Sequence, residues 1–147
     1  MGRINLKGVC ALAFLTIFAG ISFANSEYLK TRGKSALMEQ GLEAFRIKDW
    51  QSSVVFLRQA VAVPEYSTAD NWYMLIMSEM YAGEFSSAVG DCDSFFNEFG
   101  ECPLYGAVQY QKGRALHYLS RNDSAVMVLS DFCHGNPGDP MYASAVY

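Results

Sequence analysis

The chain has 147 residues, 51% of them hydrophobic, with 11 basic side chains against 15 acidic ones and a formal net charge of −4. That length suits one folded domain, not several. No Lys or Arg occurs between Gln59 and Gln111, while Glu65, Asp70, Glu79, Glu84, Asp91, Asp93, Glu98 and Glu101 all fall there. Such a surface repels phosphate backbones and argues against nucleic acid as a partner.

The first 24 residues read as an export signal. Arg3 and Lys7 give a positive start, Val9 to Ile21 form a charge-free and largely apolar run, and Ser22-Phe23-Ala24 ends in small residues at the cleavage positions. The run is short for a bilayer span, which needs about 20 residues, so an uncleaved N-terminal membrane anchor is the alternative. Cys10 lies at the start of the apolar run, not after it, and belongs to the signal; it is not a lipidation site. Removing the signal leaves nine basic residues against 15 acidic ones, a net charge of −6. Residues 25–33 form a short linker, and 34–147 the remaining domain.

From there the chain repeats itself. Ser52-Ser53-Val54, Ser87-Ala88-Val89 and Ser124-Ala125-Val126 recur at offsets of 35 and 37 residues. The 37-residue offset also lays Tyr73 on Tyr110, Tyr81 on Tyr118, Phe95 on Phe132, and Pro103-Leu104-Tyr105 on Pro140-Met141-Tyr142. Self-similarity at such a period predicts stacked units. Each unit reads as two helices with a 3.6-residue apolar period. In unit one (34–66), Leu37, Gly41 and Phe45 precede a break at Lys48-Asp49, and Val54, Leu57, Ala60 and Val61 follow it. In unit two (67–102), Trp72, Leu75, Ile76 and Met80 precede Gly83, then come Val89, Cys92, Phe95, Phe96 and Phe99. In unit three (103–139), Gly113, Leu116 and Leu119 precede Arg121-Asn122-Asp123, then come Ala125, Leu129, Phe132 and Cys133. Pro103 and Pro140 suit first helical turns, with Asp139 as a cap before the latter. A partial fourth unit spans 140–147. The small residue at 53, 88 and 125 leaves room for helices to cross closely, and the spacing is therefore a packing requirement.

This pattern resembles the tetratricopeptide repeat (TPR) family. The resemblance rests on Gly41, Trp50, Ser53, Leu57 and Ala60; on Trp72, Gly83, Phe85, Ala88 and Phe95; and on Gly113, Ala125, Leu129, Phe132 and Pro137. It covers about Ser35 to the C-terminus and implies an all-α helical-hairpin solenoid of about three repeats plus a partial fourth helix. The turns "FFNEFGECPLY" and "FCHGNPGDPMY" are similar to those of bacterial envelope TPR proteins, the Tol-associated and outer-membrane-assembly families. With no lipidation cysteine after the apolar run, the expectation is a periplasmic member, with membrane contact only through an uncleaved signal. The family further implies a concave face lined by first helices, here Tyr73, Met77 and Tyr81 from unit two and Tyr110, Arg114, His117 and Tyr118 from unit three, with Met38, Leu42 and Phe45 from unit one. Such a groove suits adaptable recognition of apolar or aromatic segments; packing between helices is the competing role for these side chains. Glu79 falls where the family is usually apolar, a sign that the register could be one residue off.

No residue pattern marks a catalyst. Asp91-Cys92-Asp93 sits on different helix faces, and its carboxylates would raise the thiol pKa. His134 and Asp139 lack the paired ligands a structural zinc needs, so His134 reads as a loop histidine, and no metal or cofactor is expected. Cys102–Cys133 is the one disulfide worth considering. The apolar stub Pro140–Tyr147 points to an edge covered by another subunit or by more of a longer array. The expectation is a non-catalytic exported scaffold binding a protein or peptide. The alternatives are the docking or regulatory portion of a larger envelope protein or enzyme, and a unit that self-associates through its C-terminal edge.

Overall fold

The structure, a computed structural model of the chain, describes residue 33 and residues 36–146. The signal segment, nearly all of the linker and Tyr147 lie outside the described residues. The chain divides into two compact units, Met1–Ala36 and Leu37–Tyr147, and the helix pairs belong to the second. They are α1 (37–46), α2 (Trp50–Val61), α3 (Ala69–Ala82), α4 (Phe85–Phe99), α5 (Tyr105–Tyr118), α6 (Asn122–Gly135) and α7 (Tyr142–Val146), with one 3-10 turn at Pro64–Tyr66. Among the described residues every regular element is helical. From α2 onward each helix packs on the next, and α3 also touches α5, the first helix of the following pair. That arrangement is the all-α helical-hairpin solenoid expected from the repeat.

The turn inside each pair has one backbone solution used three times. Lys48, Gly83 and Ser120 have φ of 63°, 80° and 58°, and they are repeat-equivalent by offsets of 35 and 37. Only glycine occupies this left-handed region without steric cost, so Lys48 and Ser120 hold it under strain imposed by the hairpin. Downstream, Asp49 caps α2 by accepting from the Ser52 amide at 3.2 Å; hydrogen bonding with the Ser52 side chain first, and then with that amide, holds its carboxyl below the usual range. Thr68 caps α3 through the Asn71 amide. The prolines fall in turns just ahead of the helices: α5 begins at Tyr105 and α7 at Tyr142. Asp139 Oδ1 accepts from the Met141 amide at 2.7 Å.

Three crossings set the core. A Cβ on Gly41 would meet Leu57 Cδ2 at 2.7 Å, and one on Gly113 would meet Leu129 Cδ2 at 2.4 Å. The equivalent positions in the middle pair hold Ile76 and Cys92, both fully buried in one cluster with Phe95 and Val108. Where the first helix carries no side chain the second carries leucine, and where the first carries isoleucine the second carries cysteine. Ser53 and Ala88 have no exposed surface and Ala125 almost none. Ser53 Oγ lies 2.8 Å from Ser78 Oγ, joining α2 to α3, and Ser78 Oγ donates to the Met74 carbonyl at 2.8 Å.

The same junction buries Glu79. Its side chain has no exposed surface; Oε1 receives Arg58, whose guanidinium also lies 3.5 Å from Asp91 Oδ2, and Oε2 has no hydrogen-bond partner. The hydrogen bond from Arg58 gives the acid a partner at this apolar position. Burial first, and then the neighbouring Asp91 carboxylate, push the Glu79 pKa up to about 9 despite Arg58. Cys92 is also buried, and its thiol is pushed well up for the same leading reason. All three described cysteines are free: Cys102 packs against the Ile76–Phe95 cluster, and Cys133 lies on α6. The two thiols are therefore not bridged to one another.

Three predictions test this packing. Gly41→Ile should overpack α1 against α2 and cost about 1–3 kcal/mol, and Leu57→Cys should cost about 2 kcal/mol or more through the cavity it leaves. The double variant, which copies the Ile76/Cys92 pair, should be more stable than the sum of the singles by at least about 1 kcal/mol in chemical denaturation; simple additivity would refute the volume exchange. Ser120→Gly should raise stability by about 0.5–1 kcal/mol by releasing the left-handed strain, and a lowered melting temperature would count against that account. Glu79 retains its proton in the folded state while the unfolded side chain releases it near 4.5. Its contribution is therefore fully present below about pH 4.5 and is lost as pH rises toward 9, with a slope of at most about 1.4 kcal/mol per pH unit. Melting curves between pH 5 and 8 should fall less for Glu79→Gln than for the wild type; parallel curves would show that Glu79 is already ionised.

Candidate partner-binding cleft

The described surface contains an open cleft of about 670 Å³ formed by α5, α6 and α7. Four of the seven residues expected on the binding face meet there: Tyr110, Arg114, His117 and Tyr118. Their spacing along α5, at 110, 114, 117 and 118, places them on one helical face. The other wall comes from α6, through Asn122, Val126, Leu129 and Cys133, and Ser144 to Val146 of α7 close one end.

The other three expected residues lie elsewhere. Tyr73 packs against the core around Ile76, and burial raises its pKa, opposed by hydrogen bonding to Gln111. Met77 is half-buried on α3. Tyr81 is 54% exposed and stacks on Trp50, with centroids 4.6 Å apart. In unit one, Met38 belongs to the core, Leu42 is exposed, and Phe45 meets the edge of Trp50. The Tyr81 stack has a repeat counterpart in Phe85 and Tyr118, 4.5 Å apart with rings inclined by 17°. Both stacks tie the start of a second helix to the end of the next first helix.

The polar groups of the cleft are held in place. Arg114 Nη1 donates to Gln111 Oε1 at 3.0 Å, and its guanidinium sits 5.7 Å from the Tyr110 ring centroid. Gln111 is buried, which anchors the arginine from below. The Tyr110 ring in turn lies 5.6 Å from Phe132. His134, read as a loop residue from the sequence, stands in the last turn of α6, its Nδ1 2.7 Å from the Ser130 carbonyl oxygen. Both histidines of the chain line this cleft together with Arg114, and no Asp or Glu does. The walls from α6 and α7 were missed by reading first helices alone; the exposed Val126 at an apolar repeat position was the available signal.

An open surface of tyrosine, valine and leucine with a fixed guanidinium can hold a polypeptide segment. No three His, Cys, Asp or Glu side chains among the described residues stand close enough to hold a metal ion. No helix of the described residues is long and apolar enough to cross a membrane.

No protein-family model matches the chain, and no curated protein does. Among solved structures it is similar to the Arabidopsis OM64 TPR domain, at 18% identity and a TM-score of 0.63. That match covers 76% of this chain and 89% of the other. At such identity the likeness speaks for architecture alone: the chain has the helical-hairpin fold of a TPR domain.

Proposed function

We propose that the protein is a non-catalytic scaffold that binds another protein through the α5–α6–α7 cleft. The observation that carries this is the convergence of Tyr110, Arg114, His117 and Tyr118 on one open surface in a fold whose known members bind proteins. Buried side chains serve the crossings, and the side chains that line the cleft are suited to recognition. The N-terminal arrangement of Arg3, Lys7, the apolar run Val9–Ile21 and Ser22-Phe23-Ala24 supports export, and the two long turns support a place in a bacterial envelope.

A photo-crosslinking residue placed in the full chain tests this. Val126 and Val55 are comparably exposed, at 63% and 55%, but only Val126 faces the cleft. The expected outcome is a protein adduct from position 126 and none from position 55, recovered in the periplasmic fraction. Absence of any protein adduct at 126 would defeat the scaffold role for this cleft. An adduct found only in the cytoplasm would defeat the export assignment alone.

A further inference from the structure

Three polar side chains from three successive helices meet at the junction of the first two hairpins. Arg58 comes from α2, Glu79 from α3 and Asp91 from α4. They are layered by depth: the Glu79 side chain has no exposed surface, that of Asp91 is 25% exposed and that of Arg58 47%. One guanidinium therefore serves two carboxyl groups, and the deeper carboxyl lies beneath the other two groups. As a carboxylate, Glu79 has no donor for Oε2 among the described residues, a costly state for a buried charge. With a proton it becomes a donor itself, and the Asp91 carboxylate is the acceptor within reach.

The helices packed on α3 offer Glu79 no second cation. Arg58 is the one charged residue of α2, and the nearby Ser53 hydroxyl is taken by Ser78. On α4 the Cys92 thiol stands close enough for a charge on Glu79 to disfavour its ionisation. On α5, Lys112 is committed to Asp93 at 2.6 Å and Arg114 to Gln111 at 3.0 Å. A charged Glu79 must therefore be hydrated, and water reaches it past Arg58 and Asp91 at the rim. The helices α3 and α4 are held together by Ile76 and Cys92 in one buried cluster and by the short turn at Gly83. The longer connection 62–68 joins α2 to α3, so parting α2 from α3 is the less disruptive way to admit water.

We infer that Arg58, Glu79 and Asp91 form a proton-operated latch, which fastens α2 to α3 while Glu79 carries its proton and lets α2 part locally when the proton leaves. Burial favours the neutral form of Glu79 first, and the Asp91 charge adds to it, so Asp91 sets how far up the pH scale the latch stays closed. Because the folded value lies above the unfolded one, the fastening is complete below about pH 4.5 and fades as pH rises toward 9. None of the three residues lines the cleft, so the latch stands apart from the reading of that surface.

Hydrogen exchange of the full chain, read by mass spectrometry and corrected for the intrinsic chemical rate at each pH, tests this. An opening that releases one proton becomes at most about tenfold easier per pH unit until Glu79 ionises in the closed state. The expected result is a loss of protection of at least about tenfold in α2 between about pH 6 and pH 8, with α5 unchanged. Glu79→Gln should flatten that dependence. Asp91→Asn should make it level off at least about one pH unit earlier than in the wild type. Should Glu79→Gln not fold, the Asp91→Asn profile decides the matter alone. An equal loss of protection in α2 and α5 would overturn the inference, because the array would then open as a whole. A wild-type profile kept by either variant would overturn it as well.

Discussion

Everything in this solenoid depends on how closely the two helices of each pair can approach. At Gly41 and Gly113 the space a Cβ would need is already taken by a leucine of the facing helix. In the middle pair the same volume is divided between Ile76 and Cys92. Close-packed interiors tolerate an exchange that conserves volume far better than one that adds or removes it. The repeat therefore conserves a sum across two positions, and neither position alone. Once the crossings fix each hairpin, the aromatic stacks of Trp50 on Tyr81 and Phe85 on Tyr118 fix how one hairpin meets the next.

The open cleft of α5, α6 and α7 is a product of that regularity. Because first helices lie side by side, with α3 touching α5, side chains at one repeat position line up along the stack. Within the stack each is covered by the following unit. Among the described residues the same positions of α5, Tyr110, Arg114, His117 and Tyr118, line the open cleft. Covered packing surface and open cleft thus share one template.

Much of this could be read from the chain because helical packing writes itself at fixed intervals. The recurrence at 53, 88 and 125, the breaks at 48 and 83, and the two-helix units all follow from a 3.6-residue period and a constant unit length. Boundaries set by backbone geometry were less legible. Pro103 and Pro140 lie in turns ahead of their helices, and Arg121-Asn122-Asp123 is mostly inside α6. Side-chain destinations were harder still. Tyr73 and Tyr110 are equivalent in sequence, yet one packs into the core and the other lines the cleft. Glu79 looked like an error of register until its partner Arg58, 21 residues away on another helix, came into view.

Glu79 also makes the stack uneven along its length. In a solenoid each unit is held chiefly by its neighbours, so total stability is close to a sum over junctions. The junction of α2 with α3 contains the buried carboxyl and the Ser53–Ser78 hydroxyl pair, whereas that of α4 with α5 relies on Phe85, Cys92, Phe96 and an ion pair at its edge. As the pH rises from about 4.5 toward 9 the cost falls on the first junction through Glu79, whereas the Cys92 thiol of the second, also raised by burial, adds its own loss only above the ordinary thiol range. Loss of order on raising the pH is accordingly expected to begin at the N-terminal hairpin and to reach the cleft last.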